Sequence, residues 1–231
     1  MKARALDLFC GAGGMSMGLH RAGWDVVGVD IVPQPRYPFE FVQADALAFP
    51  VDGFQLVCAS PPCQAYSCFQ RLRKRAACHP DLVAATRSCV QSAPLWCIEN
   101  VAGSPLYPTV MLCGLSFGLK LLRHRFFETN FWVWSPPHRA HRGRVADGDY
   151  VTVAGHGGPG RGPNPINKNT LENSRKAAWA AAMGIDWMLR RELAQAIPPA
   201  YGEWIGRAAM ESLVNALPAD LPAGAAATVH Q

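Results

Sequence analysis

The chain has 231 residues, a length that suits one domain with a modest insertion better than two complete domains. Its 49% hydrophobic and 17% charged residues, with a net charge of +5, can supply a sizeable core, which excludes an intrinsically disordered chain. Because no run of about 18 apolar residues occurs, we expect no membrane span and no signal peptide, and hence a cytoplasmic location.

Buried strands alternate with helices in the first half of the chain. In chain order, the hydrophobic pattern predicts strands at residues 5–9, 26–29, 41–42, 54–59 and 95–98. A glycine-rich turn leads into a helix near Met15, and residues 80–91 predict a second helix. This alternation predicts an α/β fold with a doubly wound, mostly parallel sheet, whose ligands bind beyond the carboxyl ends of the strands.

The pattern changes after residues 1–129, which we assign to the main α/β domain. Residues 130–170 are rich in aromatic residues, Pro, His, Arg and Gly, have no helical period, and are predicted to form a short insertion. Helical spacing resumes in residues 171–216, which we expect to complete the main domain. Residues 217–231, rich in Pro, Ala and Gly, are predicted to be disordered.

The glycine-rich turn FCGAGGMSMG, from Phe9 to Gly18, lets a backbone approach a ligand at the start of a helix. Asp30 ends the next strand, at a position suited to ribose hydroxyls, and Asp45 follows the third strand. Together these features favour an adenosyl cofactor, although the spacing is not the GxGxxG of dinucleotide sites. The alternative is that the glycines only permit close helix packing.

Cys63 follows a strand and two prolines in SPPCQAYS, so we expect its thiol to be accessible, whereas Cys10, Cys58, Cys97 and Cys113 lie in apolar surroundings typical of a core. Glu99 ends the next strand in ENV. Adjacent parallel strands end at one crevice, so Cys63 and Glu99 are expected to share a pocket. In isolation, Glu99 would be read more simply as a surface residue.

These segments, taken in order, closely resemble the DNA (cytosine-5) methyltransferase family, in its small single-chain form of prokaryotic or phage type. The resemblance rests on DLFCGAGGMSMG, PPCQAYS, ENV, RHR and AIPPAYGEWIG. It implies a Rossmann-like methyltransferase that uses S-adenosylmethionine to methylate carbon 5 of a flipped-out cytosine in double-stranded DNA, through a covalent cysteine adduct. It also implies that residues 130–170 recognise the target sequence, as in the methyltransferases of restriction-modification systems.

The same resemblance implies three sets of site residues. The catalytic residues are the nucleophile Cys63 together with Gln64, Glu99, Asn100, Arg123 and Arg125. The cofactor site comprises Phe9, Gly11, Ala12, Gly13, Gly14, Asp30, Ile31, Asp45, Ala46, Pro62, Gln195, Ala196 and Ile197. DNA contacts are expected from Ser67, Arg71, Arg73, Lys74, Arg75, Arg139, Arg142, Arg144, Arg161 and Lys168.

Within these sets the resemblance implies particular roles. Glu99 is expected to bind ring nitrogen 3 and the exocyclic amine of cytosine, and Arg125 its carbonyl oxygen, while Arg123 either buttresses the site or meets phosphate. Two departures from the family pattern concern the pocket walls: Leu121 replaces a Gln before the paired arginines, and Ala194 with Gln195 replaces Gly-Asn.

No CxxC spacing occurs among the eight cysteines, so we expect neither a disulfide framework nor a zinc ribbon. His138, His141 and His156 offer metal-binding nitrogens, but without matched cysteine spacing we predict that they face phosphate or solvent, and we expect no metal.

Three rival functions stay open: methylation of cytosine in RNA, a catalytically idle DNA-binding relative, and transfer of a modified group from a cofactor analogue. The expected partner is double-stranded DNA, and the protein is expected to be a monomer with no obligate protein partner.

Overall fold

A computed structural model describes residues 2–64, 66, 81–138, 140–153 and 176–216. The strands are β1 Arg4–Leu8, β2 Asp25–Asp30, β3 Glu40–Gln43, β4 Leu56–Ala59, β5 Leu95–Asn100, β6 Val110–Leu112 and β7 Arg125–Thr129. The helices are α1 Gly14–Arg21, α2 Val83–Val90, α3 Lys176–Met183, α4 Arg190–Gln195 and α5 Pro199–Asn215, with a 3-10 helix at Gly114–Phe117.

The seven strands form one sheet in the order β3-β2-β1-β4-β5-β7-β6. The first five are mutually parallel, while β7 runs antiparallel to β5 and β6 antiparallel to β7. The strand order reverses between β1 and β4, and in such sheets the crevice beyond the carboxyl ends at this reversal is the usual ligand site. The predicted doubly wound, mostly parallel α/β fold is confirmed.

Neighbouring residues of each strand point to opposite faces of the sheet, and helices cover both faces. On one face, Ala5 of β1 packs in a cluster with Leu19 of α1 and Tyr201 of α5. On the other face, Leu6 packs in a cluster with Val83 of α2. This burial on both sides explains why the strands read as continuous apolar runs rather than as alternating ones.

Helices α1 and α5 cross at very short range because both carry glycines. A Cβ on Gly14 would lie 2.2 Å from the carbonyl oxygen of Ile197, and a Cβ on Gly18 would lie 2.2 Å from that of Pro199. The indole nitrogen of Trp24 donates to the carbonyl oxygen of Gly206, 2.9 Å away. At Gly14 and Gly18, therefore, the glycines serve close packing, which is the alternative that the sequence left open.

Strands β6 and β7 were not among the predicted elements, and α2 begins at Val83, where Oδ1 of Asp81 accepts its backbone N–H at 3.0 Å. Part of the predicted insertion packs onto the main domain: Leu121 forms a parallel bridge with Val151, and Val153 joins the cluster that contains Trp179. The domain boundaries stay a prediction, because residues 154–170 and the tail 217–231 lie outside the described residues.

Over the described ranges, no helix combines the length and the apolar character that crossing a bilayer would need.

Candidate active site

The turn after β1 is held open by unusual backbone angles. Phe9, Gly11 and Gly13 have φ values of 58°, 50° and 86°, in the left-handed region. The Gly11 N–H donates to Oδ2 of Asp30 at 2.9 Å, and the other oxygen of Asp30 accepts the N–H of Val32 at 2.9 Å. Asp30 therefore ties the turn after β1 to the end of β2, and its carboxylate stands at the mouth of the crevice.

Gly11 differs from the packing glycines because a Cβ on it would meet no atom within 4 Å. Its backbone thus borders open space at the carboxyl end of β1, where a ligand can approach the turn closely. Gly13 faces the Pro38 side chain, which lies 2.9 Å from where its Cβ would stand. Of the two readings of these glycines, ligand approach therefore suits Gly11 and packing suits Gly13.

The other residues predicted for the cofactor site differ in their exposure. Ile31 is 67% exposed just beyond β2, and Asp45 is exposed, with Oδ1 accepting the Leu47 N–H at 2.9 Å. Ala12, Ala46 and Ile197 are buried, Pro62 and Ala196 are half-buried, and Gln195 is exposed at the end of α4. The exposed members, Ile31, Asp45 and Gln195, are therefore the ones whose side chains are open to a ligand.

The loop that carries Cys63 is tied to the neighbouring strand. Asn100, fully buried at the end of β5, donates through Nδ2 to the carbonyl oxygen of Pro61 at 3.0 Å. This bond brings the loop after β4 alongside the end of β5, as the sequence predicted for Cys63 and Glu99. Cys63 is half-buried and Gln64 is exposed in the following turn, so Asn100 positions the loop rather than facing the crevice.

The electrostatic environment of Cys63 mixes opposing effects. Burial raises the pKa of the Cys63 thiol, the positive charge of Arg125 lowers it, and the negative charge of Glu99 raises it again. Arg123 lowers it further. The thiol form is therefore favoured in the free protein, while two guanidinium groups stand ready to stabilise a thiolate or an anionic adduct as it forms.

Glu99 is buried, only 7% exposed, and Nε of Arg125 lies 2.7 Å from its Oε1. The two groups are not aligned as a hydrogen bond, and Oε1 is buried without a hydrogen-bond partner among the described residues. Burial raises the pKa of Glu99, and the charges of Arg125 and Arg123 oppose that rise. A buried carboxyl with unused hydrogen-bonding capacity can bind a polar ligand.

Arg123 lies deeper than Arg125 and serves as a structural tie. Its Nη1 donates to the carbonyl oxygen of Val153 at 2.8 Å and its Nη2 to that of Ala194 at 2.9 Å. The hydroxyl of Tyr201 donates to the backbone carbonyl of Arg123. Burial lowers the pKa of Arg123 to about 9, and the neighbouring Arg125 adds to that effect. Of its two predicted roles, this geometry favours buttressing the site over meeting phosphate.

A buried acid beneath the turn was not predicted from the sequence. Asp7 of β1 is fully buried; its carboxylate accepts the hydroxyl of Ser16, which in turn accepts the hydroxyl of Tyr37 at 2.8 Å. Burial raises the pKa of Asp7 to about 7, the Ser16 hydrogen bond lowers it, and the charge of Asp30 raises it. The sequence does not single out Asp7, since a strand pattern does not reveal the partners of its one acid.

A second feature missed by the sequence lies at the edge of the site. The Sγ of Cys113 and the Nε2 atoms of His124, His138 and His141 converge there. Cys113 is buried as predicted, but its thiol faces His141, while His156 lies outside the described residues.

Most of the predicted DNA contacts fall outside the described residues: Ser67, Arg71, Arg73, Lys74, Arg75, Arg139, Arg161 and Lys168. Arg142 and Arg144 are described and exposed. Their backbones are held in place, because the Arg142 carbonyl accepts the Tyr150 hydroxyl and the Arg144 N–H donates to Asp149 at 2.9 Å.

Comparisons with solved structures identify this fold among methyltransferases. A protein described as a DNA modification methyltransferase encoded within an E. coli prophage superposes with a TM-score of 0.57 at 15% identity. The S. pombe Dnmt2 methyltransferase gives 0.58 at 15% identity, and the Entamoeba histolytica methyltransferase EhMeth gives 0.55 at 10% identity. Each alignment covers 92% of this chain and 99% of the other.

No protein-family model matches the sequence, and no curated protein matches it. At these identities the superpositions establish the fold, and the predicted resemblance to cytosine-5 methyltransferases is confirmed at that level.

Proposed function

We propose that the protein transfers a methyl group from S-adenosylmethionine to carbon 5 of a flipped-out cytosine in double-stranded DNA. The observation that carries this proposal is the grouping of Cys63, Glu99 and Arg125 at the ends of neighbouring strands, beside the open turn at Gly11. A thiol, a buried carboxyl and a guanidinium within mutual electrostatic reach are the groups that covalent activation of a pyrimidine requires.

Covalent attack is needed because carbon 5 of cytosine is a poor nucleophile. The Cys63 sulfur forms a bond to carbon 6 and loses its proton, and the electron pair of the 5,6 double bond moves to carbon 5, which can then accept a methyl group. Loss of the carbon 5 proton and release of the Cys63 thiolate restore the double bond. Arg125 and Arg123 support these steps, because their charges lower the pKa of the thiol against the effect of burial.

Glu99 suits recognition of the cytosine edge. Its buried carboxyl has a raised pKa and an oxygen without a hydrogen-bond partner among the described residues, so it can donate to ring nitrogen 3 and accept from the exocyclic amine. Nitrogen 3 becomes more basic as the adduct forms, and a proton shared with Glu99 then stabilises it. The positive charge of Arg125 favours the carboxylate that remains after the proton moves.

The residues around the open turn fit an adenosyl ligand. Gly11 offers a backbone that borders open space, the Asp30 carboxylate at the crevice mouth suits ribose hydroxyls, and the exposed Asp45 suits the adenine amine. S-adenosylmethionine bound there would supply the methyl group from its sulfonium. Cys63 follows the adjacent strand, so the nucleophile and the methyl donor would meet at the same edge of the sheet.

The proposal is tested with duplex DNA that contains 5-fluorocytosine, in which fluorine replaces the hydrogen that must leave carbon 5. With S-adenosylmethionine present, we expect a denaturation-resistant protein–DNA complex that Cys63→Ala abolishes. Tritium transfer from labelled cofactor to unmodified duplex DNA and to transfer RNA identifies the substrate. Transfer to RNA alone would overturn the DNA assignment, and the absence of both complex and transfer would overturn the enzymatic one.

A further inference from the structure

Four metal-ligating atoms converge beside the candidate active site. The Nε2 atoms of His124, His138 and His141 lie 3.2 Å, 3.3 Å and 3.1 Å from one another, and Nε2 of His141 lies 3.5 Å from Sγ of Cys113. All four atoms are within 4.8 Å of one another. No residue of this cluster belongs to the catalytic or cofactor groups of the proposed function.

Hydrogen bonding among the three imidazoles cannot account for this arrangement. Each Nε2 atom carries either one proton or one lone pair, so each mutual contact needs one donor and one acceptor. Three atoms in mutual contact cannot all be paired in this way, because at least two of them must be of the same kind. At least one of the three contacts therefore sets proton against proton or lone pair against lone pair.

A cation at the centre removes this conflict, since lone pairs that repel one another would all point at the same positive charge. We propose that Cys113, His124, His138 and His141 bind one zinc ion in a tetrahedral site. Thiolate sulfur and imidazole nitrogen are the ligands by which proteins bind zinc, and four protein ligands complete its tetrahedral coordination without an open position. The site is therefore structural, and the cysteine proton passes to solvent when the metal binds.

The nitrogen separations and the distance from Cys113 to His141 agree with this geometry. Tetrahedral bonds of about 2.0 to 2.1 Å to nitrogen place two nitrogens about 3.3 Å apart, and a sulfur bonded at about 2.3 Å lies about 3.5 to 3.6 Å from each nitrogen. The observed nitrogen separations are 3.1 to 3.3 Å. The sulfur of Cys113 lies 3.5 Å from the His141 nitrogen and within 4.8 Å of the other two nitrogens.

The sequence pointed away from a metal because it offered no cysteine near His138 and His141. Cys113 is 28 positions before His141, and His124 is 17 positions before it, so neither spacing matches a short zinc motif. The antiparallel pairing of β6 with β7 brings them together, since Cys113 directly follows β6 and His124 directly precedes β7. The expectation of no metal is replaced by this inference.

A zinc ion here would clamp three segments: the end of β6, the start of β7 and the loop around Pro137. The loop already touches the 3-10 helix, where the Ser116 hydroxyl donates to the Pro137 carbonyl at 3.0 Å. His124 lies between Arg123 and Arg125, and its own carbonyl accepts Nη1 of Arg125 at 2.9 Å. The ion would thus anchor the start of the insertion to the segment that carries the two site arginines, Arg123 just before β7 and Arg125 at its first position.

The test uses the full chain expressed with zinc supplied, dialysed, and analysed by elemental mass spectrometry. We expect about one zinc per chain in the unaltered protein and less than about a tenth in His138→Ala. The His138 side chain is exposed, so its removal opens no cavity in the core. The control is His20→Ala, a histidine of α1 whose ring packs against Phe39 outside the cluster. It should retain the full zinc content.

Cobalt substitution reports the ligands directly. The chain freed of zinc with a chelator and titrated with Co²⁺ should show the strong visible bands of tetrahedral cobalt and a thiolate-to-cobalt charge-transfer band. Cys113→Ser should lose the charge-transfer band, whereas Cys89→Ser, a half-buried cysteine elsewhere, should keep it.

Two outcomes would overturn the zinc site: a zinc content below about a tenth per chain in the unaltered protein, or cobalt spectra that Cys113→Ser does not change. Neither measurement depends on methyl transfer, so each can refute the zinc site without bearing on the proposed function.

Discussion

Arg125 stands with its Nε 2.7 Å from Oε1 of Glu99, yet this oxygen has no aligned hydrogen-bond donor in the described part of the chain. The positive charge of the guanidinium thus acts on the carboxyl, while Oε1 of the carboxyl stays available to accept a hydrogen bond. Burial raises the pKa of Glu99 and the arginine opposes the rise. The pair is therefore arranged so that a proton on Glu99 can be shared with a ligand without leaving an isolated buried charge.

Glu99→Gln tests this arrangement, because the amide keeps the shape of the side chain but cannot transfer a proton to the base. We expect the rate of methyl transfer in a single turnover to fall by about 100-fold or more, with cofactor affinity unchanged. Glu203→Gln is the matched control, since Glu203 forms an ion pair with Arg207 on α5 away from the crevice. If Glu99→Gln transferred the methyl group at the unaltered rate, Glu99 would not act by proton transfer.

Cys63→Ser should abolish methyl transfer while leaving the binding of S-adenosylmethionine within a few-fold. A serine hydroxyl is a much weaker nucleophile than a thiol at neutral pH, because its proton is far harder to remove. Calorimetric titration with the cofactor and a transfer assay on the same preparation separate the two effects. Measurable turnover by the serine variant would exclude the covalent route, because the reaction would then proceed without the sulfur.

Two glycines of the first turn and helix should separate ligand binding from packing. Gly18→Ala forces a Cβ to within 2.2 Å of the Pro199 carbonyl oxygen, and we expect it to lower the free energy of unfolding by about 3 kcal/mol. Gly11→Ala meets open space and carries only the strain of its φ of 50°, about 1 kcal/mol. It should instead weaken cofactor binding.

Urea unfolding and cofactor titration of both variants check this contrast. If Gly11→Ala left the affinity for S-adenosylmethionine unchanged, the adenosyl ligand would not approach the turn at that residue.

Asp7 should make the protein less stable as the pH rises. Its pKa is raised from an ordinary 3.8 to about 7 in the folded protein, so the folded state holds a proton that the unfolded state has lost between these values. The free energy of unfolding that Asp7 contributes is fully present below pH 3.8, the ordinary pKa. It is lost as the pH rises through the folded-state pKa of about 7. Relative to Asp7→Asn, the unaltered protein should lose about 2 to 3 kcal/mol between pH 5 and pH 8.

The measurement is urea unfolding at both pH values. Asp25→Asn, which changes an exposed carboxyl at the start of β2, serves as the control. An equal pH dependence of the unaltered protein and Asp7→Asn would show that Asp7 is ionised in the fold.

Most of the sheet could be predicted because most of the parallel strands are short apolar runs that end at, or just before, a polar residue or a glycine-rich turn. Asp30, Glu99 and the turn before Cys63 were identified for the same reason, since a polar residue directly after an apolar run is visible locally. Strand β7 could not be predicted in this way. Its Glu128 is buried against Arg87, with Nε and Oε1 2.6 Å apart, and that partner lies 41 positions away in α2.

Long-range contacts also explain why the sequence did not reveal the cluster of Cys113 with three histidines, or the buried Asp7. Cys113 reads as a core residue and His124 as part of an arginine motif, and only the pairing of β6 with β7 makes them neighbours. Asp7 reads as a break in an apolar strand, while its partners Ser16 and Tyr37 come from α1 and from the segment before β3. Pairwise contacts across the sheet carry this information, and a linear pattern does not contain it.

Sequence specificity requires contacts outside the strand ends. The strand ends can contact only the flipped cytosine, so its neighbours must be read by side chains that reach the groove. Arg142 and Arg144 are exposed on a segment whose backbone is held by Tyr150 and Asp149, a rigid presentation that suits recognition of base edges. An arginine bidentate to guanine contributes about 1 to 3 kcal/mol of discrimination, whereas a phosphate contact weakens all sites alike.

We therefore expect Arg142→Ala or Arg144→Ala to relax the sequence context of methylation without abolishing it. Combined alanines at Arg71, Arg73, Lys74 and Arg75 should lower methylation in every context, because that basic run is predicted from the sequence to meet phosphates. Arg21→Ala, an exposed arginine at the end of α1, should change neither property. Bisulfite sequencing of DNA from cells that express each variant reads activity and context together. If the methylation profiles of Arg142→Ala and Arg144→Ala match that of the unaltered protein, these two side chains do not read the sequence. If instead the combined variant at residues 71–75 changes the sequence context, the basic run contacts bases and not only phosphates.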